Sequence, residues 1–206
     1  MTNKSANIKT LCGIVTFNSD VSRLVENVSA AYPQVDKLII FDNGSTNIDA
    51  IKEALRDFKN IHYFLSKTNQ GIAKALFEIM EYAKNNNYDW VLTLDDDSVA
   101  KPNLVENYIK YINVNSIGAM TCKMEDRNYP MNEKDIKGNY ELVDTIITSG
   151  CFMSVDAYSK TSGYDVNLFI DRVDTDICYS LVENEYKLIK INYVGLLHEM
   201  GYGKIR

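Results

Sequence analysis

Short apolar segments alternate with longer amphipathic segments through the first hundred residues of the chain. Runs rich in strand-forming residues occur as LCGIVTF, KLIIFD, IHYFL and WVLTL, at residues 11–17, 37–42, 61–65 and 90–94. The stretches between them carry apolar side chains at helical spacing, over residues 21–32, 48–58 and 72–83. Strands that alternate with helices favour a parallel sheet with helices on both faces. The sequence therefore predicts an α/β fold.

The second half of the chain lacks this regular alternation. Strand-like segments recur at residues 117–122, 145–155 and 187–195. One helix is predicted after Pro102 and another near residues 174–185, whereas the polar and turn-rich residues 123–141 predict an inserted loop. We therefore expect some antiparallel pairing in this half. At 206 residues the whole chain fits one domain.

Composition and charge narrow the classes of function. The net charge of -6 argues against a nonspecific nucleic-acid binder, which needs a basic face, so no nucleic-acid partner is expected. No apolar run approaches the roughly 20 residues of a membrane crossing, and the start of the chain contains no signal-peptide core, so we expect a cytoplasmic protein. Buried free thiols are predicted at Cys12, Cys122, Cys151 and Cys178, which lie far apart in apolar stretches.

Three consecutive carboxylates end the fourth predicted strand, in the sequence WVLTLDDDS. Asp95, Asp96 and Asp97 repel one another at such short range, so a positive charge is expected beside them. One or two carboxylates, with phosphate oxygens and water, form the usual coordination of Mg2+ or Mn2+. The alternative is that Asp97 or Ser98 caps the helix after Pro102, but a cap needs only one such residue. The sequence thus favours a divalent metal site.

Polar residues also follow the other predicted strands, at the sheet edge where parallel sheets bind ligands. Thr16 and Asn18 follow the first strand, Asp42 follows the second, and Asn69 and Gly71 follow the third. Asp42 is suited to accept hydrogen bonds from a nucleotide base or ribose, and the NQG segment before the third helix is suited to an anion. The alternative for both segments is an ordinary turn or helix cap.

A second acidic cluster begins a predicted helix, in the sequence FIDRVDTDICYSL. One of Asp171, Asp174 and Asp176 is a candidate general base for an attacking hydroxyl, and the alternative is a solvated first helical turn. His198 follows an apolar segment and is either a third metal ligand or structural. His62 lies within a predicted strand, which indicates a structural role.

Together these segments resemble the family 2 glycosyltransferases with the GT-A fold, particularly the rhamnosyltransferase-like and galactofuranosyltransferase-like branch that assembles surface polysaccharides. The resemblance covers nearly the whole chain and rests on the ordered succession of IVTFN, IIFDNGS, NQGIAKAL, VLTLDDDS, TSGCFMS, VDTDIC and HEMG. It implies a three-layer α/β/α sandwich around a mostly parallel sheet, in one domain over residues 1–206. The nucleotide-binding half is expected at about residues 8–100 and the acceptor and catalytic half at about residues 101–206.

The resemblance also implies a reaction, namely inverting, metal-dependent transfer of a sugar from a UDP- or dTDP-sugar to a hydroxyl of a glycan or lipid-linked glycan. The residues that it assigns to the donor are Thr16, Asn18, Asp42, Asn69, Gly71, Asp95 and Asp96. It implies Asp97, Asp95 and His198 as ligands of Mg2+ or Mn2+, and Asp174 as the catalytic base. A lipid-linked acceptor would bring the protein to the inner face of the cytoplasmic membrane as a peripheral protein.

Two other functions stay open at this point. A nucleotidyltransferase would also hold a metal on carboxylates at a strand end, but it requires a basic triphosphate-binding loop, and LCGIVTFNSDVSR contains only Arg23. The other function is that of a catalytically inactive module that binds a nucleotide or glycan. It is kept because Lys74 and Ser180 differ from the residues that relatives often carry at these positions.

Overall fold

A mixed nine-stranded sheet forms the middle layer of the computed structural model, which describes residues 8–128 and 136–198. The strands are β1 (Thr10–Thr16), β2 (Lys37–Asp42), β3 (Ile61–Leu65), β4 (Trp90–Asp95), β5 (Val99–Ala100), β6 (Ile117–Asp126), β7 (Tyr140–Leu142), β8 (Cys151–Ser154) and β9 (Lys187–His198). The helices are α1 (Val21–Ala31), α2 (Ile48–Ala54), α3 (Ile72–Asn85), α4 (Leu104–Ile109), α5 (Val155–Tyr158) and α6 (Val173–Glu183).

The strand order is β3-β2-β1-β4-β8-β6-β9-β5, and β7 pairs with β9 outside this row. The strands β3, β2, β1 and β4 run parallel to one another, as the alternation of strands and helices predicts. The strand β8 runs antiparallel to both β4 and β6, whereas β9 runs parallel to β6 and antiparallel to β5 and β7. The predicted α/β fold with a mostly parallel sheet is therefore confirmed, and so is the antiparallel pairing in the second half.

The buried apolar side chains form two layers, one on each face of the sheet. Successive residues of a strand point to opposite faces. Leu11 of β1 accordingly packs with residues of α3, α5 and α6, whereas Cys12 and Ile14 of the same strand pack with residues of α1, α2 and α4. Each fully buried side chain of this size stabilises the fold by roughly 1.5–3 kcal/mol. The two layers hold the strands so that the carboxyl ends of β1, β2 and β4 lie at one edge of the sheet.

The prediction of a loop over residues 123–141 is wrong at both ends. The strand β6 continues to Asp126, and β7 begins at Tyr140. Both segments pair with β9, where Asp126 lies opposite His198 and Tyr140 lies opposite Ile191. Register shifts on either side of Lys123 keep the polar end of β6 paired with β9. Residues 129–135 lie outside the described part of the chain.

The strand predicted over residues 145–155 is confined to Cys151–Ser154. Gly150 has a φ of +79°, and the hydroxyl of Thr93 donates to the carbonyl oxygen of Thr148 at 2.6 Å. These two features turn residues 148–150 away from an extended path, because the backbone bends at Gly150 and the Thr148 carbonyl bonds to a side chain. The hydroxyls of Thr148 and Ser149 consequently lie near the carboxyl end of β4.

Two helix boundaries also differ from the sequence prediction. The helix predicted to reach Phe58 ends at Ala54. The helix after Pro102 is preceded by Asn103 as its N-cap residue, because the short strand β5 separates this helix from the three aspartates. The proposed alternative in which Asp97 or Ser98 caps this helix is therefore wrong.

The predicted burial of the four thiols is confirmed for Cys12, Cys122, Cys151 and Cys178. Burial in an apolar environment disfavours the thiolate, and it raises the pKa of Cys178 to about 11. No helix within residues 8–128 and 136–198 combines the length and the apolar character that a membrane crossing requires.

Candidate active site

A cavity of about 480 Å³ opens at the carboxyl ends of β1 and β4 and beside the loops after β2 and β3. Its lining consists of Val15, Thr16, Phe17, Asn43, Asn69, Gly71, Ile72, Asp95, Asp96, Asp97, Phe169, Ile170 and His198. Seven of the residues predicted from sequence are among them: Thr16, Asn69, Gly71, Asp95, Asp96, Asp97 and His198. The other three predicted residues, Asn18, Asp42 and Asp174, do not line this cavity.

Asp95 is the last residue of β4, and Asp96 and Asp97 form the turn that follows it. One ligand atom from each of Asp95, Asp97 and His198 lies within 4.8 Å of the other two. His198 ends β9, and its Nδ1 lies 3.8 Å from Oδ1 of Asp97. Asp96 instead accepts a hydrogen bond from the hydroxyl of Ser19, two residues before α1. The structure thus groups the three predicted metal ligands and directs the middle aspartate elsewhere.

The electrostatics of this turn are unfavourable in the absence of a positive charge. Burial, together with the charges of Asp97, Asp174 and Asp96, raises the pKa of Asp95 to about 7. Burial also raises the pKa of Asp96, although the hydrogen bond from Ser19 opposes this shift. Carboxylate oxygens are the ligands that Mg2+ and Mn2+ prefer, an imidazole nitrogen is a common metal ligand, and a cation would relieve the repulsion between the carboxylates. The residues present therefore fit a divalent cation.

Buried hydroxyl groups connect the residues of the candidate metal site to one another. The backbone N–H of Asp95 donates to Oγ of Ser149 at 3.2 Å, and the Ser149 hydroxyl donates to Oγ of Ser98 at 2.7 Å. Oγ of Ser98 lies 2.8 Å from Nδ1 of His198. The side-chain amide of Asn27 on α1 donates to the carbonyl oxygen of Asp95 at 2.6 Å. The end of β4 is thus held from both α1 and β9.

The candidate base Asp174 lies in the first turn of α6. It is half-buried, whereas Asp171 and Asp176 are exposed to solvent. Burial raises the pKa of Asp174, and hydrogen bonds from Thr148 oppose this shift. Of the three acidic candidates, Asp174 is therefore the half-buried one, and its charge contributes to the raised pKa of Asp95.

The loop after β2 is held by Asp42, which is only 2% exposed. Its carboxylate accepts hydrogen bonds from the backbone N–H of Gly44 at 3.2 Å and of Ser45 at 3.0 Å, and also from the Thr16 hydroxyl at 3.3 Å. Asn18 bridges the loops after β1 and β2, because its Oδ1 accepts from the backbone N–H of Thr46 at 2.8 Å. Asp42 and Asn18 thus bond to the loops that surround the cavity.

The NQG loop before α3 is attached to β2 by Asn43. The side-chain amide of Asn43 donates to the carbonyl oxygen of Gly71 at 3.1 Å, and its Oδ1 accepts from the backbone N–H of Gln70 at 2.8 Å. Within the loop, Oδ1 of Asn69 accepts from the backbone N–H of Gly71 at 2.9 Å. Asn43 therefore fixes the loop that carries two of the predicted donor residues.

One wall of the cavity is apolar and was not predicted. Phe169 and Ile170, from the segment before α6, are 54% and 67% exposed, and Phe17 after β1 is 49% exposed. The exposure of such large apolar side chains beside a polar cavity is typical of a surface that contacts a ligand. Among the described residues that line the cavity, none is Lys or Arg.

Sequence reasoning also missed the polar residues that support the site. Ser98 and Ser149 are fully buried, Asn27 is fully buried on α1, and Thr148 is 8% exposed. Signals were present for the first two, because Ser98 directly follows the three aspartates and Ser149 belongs to the TSG segment. Asn27 lies on the apolar stripe of α1 between Leu24 and Val28, where a polar residue was a recognisable exception.

Comparisons with known proteins show what the chain is similar to. The family described as Glycosyl transferase family 2 matches residues 12–160. The chain is 23% identical to the dTDP-rhamnosyl transferase RfbF of Shigella flexneri over 203 residues, which cover 91% of this chain and 68% of that protein. It is 26% identical to a hyaluronan synthase of Streptococcus pyogenes over 140 residues, which cover 63% of this chain and 32% of the synthase.

Two solved structures share the fold at low sequence identity. GalNAc-T7, determined with UDP, GalNAc and Mn2+, has a TM-score of 0.78 at 12% identity, over 97% of this chain and 45% of that one. S. aureus TarS 1-349 in complex with UDP has a TM-score of 0.74 at 14% identity, over 94% of this chain and 61% of that one. The chain thus spans less than two thirds of either structure. Since the family match extends over well more than half of its residues, the chain belongs to glycosyl transferase family 2.

Proposed function

We propose that the protein transfers a sugar from a UDP- or dTDP-sugar to a hydroxyl of a glycan or lipid-linked glycan, with a divalent cation and with inversion at the anomeric carbon. The observation that carries the proposal is the grouping of Asp95, Asp97 and His198 with the NQG loop in one cavity. The family gives the reaction class. The dTDP-sugar named for RfbF and the UDP bound to TarS support a nucleoside-diphosphate donor.

Asp95, Asp97 and His198 are the residues that would hold Mg2+ or Mn2+. When bound, the cation supplies positive charge to the diphosphate as it leaves the sugar. The lining includes no Lys or Arg among the described residues, so the protein offers the diphosphate little positive charge of its own there. We therefore expect donor binding to depend strongly on the metal.

Asp174 is the proposed general base. A half-buried carboxylate with a raised pKa is a stronger proton acceptor than a fully solvated one, and it is suited to remove a proton from a hydroxyl. Attack by that hydroxyl from the side opposite the leaving diphosphate would invert the anomeric carbon. The proton ends on the Asp174 carboxylate.

The remaining predicted residues keep roles on the donor side of this proposal. Thr16, Asn69, Gly71 and Asp96 are assigned to donor contact, because they line the cavity. Asn18 and Asp42 are assigned to the loops around the donor, since their side chains bond to those loops. The same proposal places both halves in one domain, with the donor half at about residues 8–100 and the acceptor half at about residues 101–206. It also includes a cytoplasmic location, with peripheral membrane contact for a lipid-linked acceptor.

A thermal-shift panel tests the donor site. UDP, dTDP, GDP and CDP are each added with and without Mn2+, because a ligand that binds only the folded state raises the melting temperature. We expect a shift with UDP or dTDP that requires Mn2+. A melting temperature that none of the four nucleotides changes in the presence of Mn2+ would contradict the proposed donor site.

Two variants with matched controls separate the metal site from the base. Asp97→Ala is expected to abolish Mn2+-dependent nucleotide binding in calorimetry, whereas Asp49→Ala, an exposed acidic residue in the first turn of α2, leaves it intact. Asp174→Asn is expected to keep binding and to lose transfer, whereas the exposed Asp176→Asn on the same helical turn keeps both. Normal transfer by Asp174→Asn would remove Asp174 as the base.

A further inference from the structure

Two neighbouring hydroxyl side chains connect to two different parts of the site. The hydroxyl of Thr148 donates to the carboxylate of Asp174. The hydroxyl of Ser149 donates to Oγ of Ser98 at 2.7 Å, and Ser98 in turn lies 2.8 Å from Nδ1 of His198. Adjacent residues of the TSG segment thus contact the candidate base directly and the candidate metal site through one intermediate.

The segment that carries these hydroxyls is anchored to β4. The Thr93 hydroxyl donates to the carbonyl oxygen of Thr148 at 2.6 Å, and the backbone N–H of Gly150 donates to the carbonyl oxygen of Thr93 at 2.9 Å. Ser149 accepts from the backbone N–H of Asp95 at 3.2 Å. Since β4 also carries Asp95, this segment shares its support with the metal site.

The direction of each hydrogen bond follows from the number of available protons. A serine hydroxyl has one proton, and Ser149 donates its own to Ser98. Oγ of Ser98 accepts this proton, and the Ser98 hydroxyl has Oδ1 of Asp97 as an acceptor at 3.5 Å. A histidine that binds a cation through one ring nitrogen donates the N–H of the other nitrogen, and Oγ of Ser98, 2.8 Å from Nδ1 of His198, is placed to accept it and to leave Nε2 for the cation.

We propose that Thr148 and Ser149 are positioning residues, of which Thr148 orients Asp174 and Ser149 orients the His198 ring through Ser98. This inference rests on the proposed function for its catalytic meaning. It assigns a role to the TSG segment, which links the elements β4, α6 and β9 that supply the base and the metal ligands. Buried partners of this kind commonly change metal affinity by about 10–100-fold when they are removed.

Nuclear magnetic resonance on the metal-free protein tests the contact with His198 without any assay of transfer. The chain contains only two histidines, so a long-range 15N spectrum shows two imidazole rings, and His198→Gln assigns them. We expect the Nδ1 resonance of His198 to report a hydrogen-bonded nitrogen and to shift in Ser98→Ala and Ser149→Ala, while His62 stays unchanged. An Nδ1 resonance that is unaffected by both substitutions would overturn the assignment.

Measurements of metal binding and of sugar transfer then distinguish the role of the Ser149 hydroxyl from that of the Thr148 hydroxyl. Ser149→Ala and Ser98→Ala are expected to weaken Mn2+ binding about 10–100-fold. Thr148→Val is expected to keep Mn2+ affinity and donor KM and to lower kcat, and Thr148→Ser is expected to restore kcat. The exposed Thr145→Val is the control in the same segment and changes neither quantity.

The outcomes separate this inference from the proposed function. A wild-type protein that binds neither Mn2+ nor nucleotide would contradict the proposed function, and the resonance experiment would still decide the contact between Ser98 and His198. A wild-type protein that binds Mn2+ and transfers sugar, with Thr148→Val and both serine variants unchanged from it, would overturn the positioning roles alone. If Ser149→Ala does not fold, Ser98→Ala tests the same chain of hydroxyls at its next member.

Discussion

The backbone N–H of Ile72 donates to the carbonyl oxygen of Phe169 at 2.7 Å. This hydrogen bond joins the first residue of α3 to the segment before α6, although the two residues are far apart in sequence. Gly71, the residue before Ile72, has a φ of +85° and lies next to this contact. The NQG loop and the apolar wall of the cavity are thus held together by backbone contact, which leaves no room for a side chain at residue 71.

Substitution of Gly71 is therefore expected to disturb the cavity. A Cβ at this position would lie against the carbonyl oxygen of Phe169 and 2.8 Å from the Cα of Phe169. We expect Gly71→Ala to lower the free energy of unfolding by about 1–3 kcal/mol through this overlap, in addition to about 1–3 kcal/mol for a backbone conformation, φ +85° and ψ 166°, that is almost exclusive to glycine. Denaturant unfolding measures the loss, and nucleotide binding should weaken with it.

Gly138→Ala is the matched control for this substitution. Gly138 also has a positive φ, of +99°, but a Cβ there would meet nothing within 4 Å. It should incur only the conformational penalty and leave nucleotide binding intact. Equal losses in the two variants would mean that the contact with Phe169 does not matter.

Local patterns in the sequence were sufficient for the first half of the fold and for the place of two carboxylates of the candidate metal site. The four parallel strands have apolar runs that need no distant information, and their carboxyl ends meet because parallel strands connected by helices share that edge. The positions of Asp95 and Asp97 follow directly from the end of β4. His198 joined them only as one of two alternatives, since its place depends on the partner of β9.

The sequence predictions that were wrong concern segments whose structure depends on contacts between distant residues. Thr148 and Ser149 have β-compatible neighbours, and nothing local indicates that their hydroxyls bond to α6 and to Ser98 instead of continuing a strand. The polar end of β6 has the composition of a loop. It is nevertheless extended, because β9 pairs with it as far as Asp126. Tertiary contacts overrode local preference in both places.

The apolar wall should contribute to substrate affinity without contributing to stability. Ile170 is 67% exposed and lines the cavity, so Ile170→Ser should change the free energy of unfolding by less than about 0.5 kcal/mol. A lost apolar contact of about 1.4 kcal/mol would raise the KM of the substrate that touches it roughly tenfold. Val166→Ser, 42% exposed in the same segment and outside the cavity lining, is the control. Unchanged KM values for both donor and acceptor would exclude Ile170 from the binding surface.

Asn27 should support both the stability of the fold and the candidate metal site. It is fully buried, and its amide donates to the carbonyl oxygen of Asp95 at 2.6 Å. Because Asn27→Ala leaves this carbonyl without its donor, we expect the free energy of unfolding to fall by about 1–3 kcal/mol and Mn2+ affinity to decrease. Asn107→Ala removes a similar bond, to the carbonyl oxygen of Asn103 at 2.8 Å, at a half-buried position on α4. That control should retain Mn2+ affinity, and a wild-type affinity in Asn27→Ala would show that the bond to Asp95 has no influence on the metal site.

His62 should make the folded protein less stable at mildly acidic pH. Its ring stacks on Tyr82 at 5.0 Å and meets Phe64 edge-on at 4.9 Å. Burial, and to a smaller degree the charge of Lys37, lowers the pKa of His62 below its ordinary value of 6.5. The unfolded chain therefore binds this proton more readily than the folded protein does.

The resulting stability difference has a definite sign. The contribution of neutral His62 is fully present above the unfolded pKa of 6.5 and is lost as the pH falls through that value toward the lower folded pKa. His62→Phe keeps an aromatic ring but cannot titrate, so it should lose less stability than the wild-type between pH 7.5 and pH 5.5. Urea unfolding at the two pH values measures this, and the other titrating groups cancel because both proteins contain them. An identical loss in the two proteins would mean that His62 carries the same charge in the folded and unfolded states.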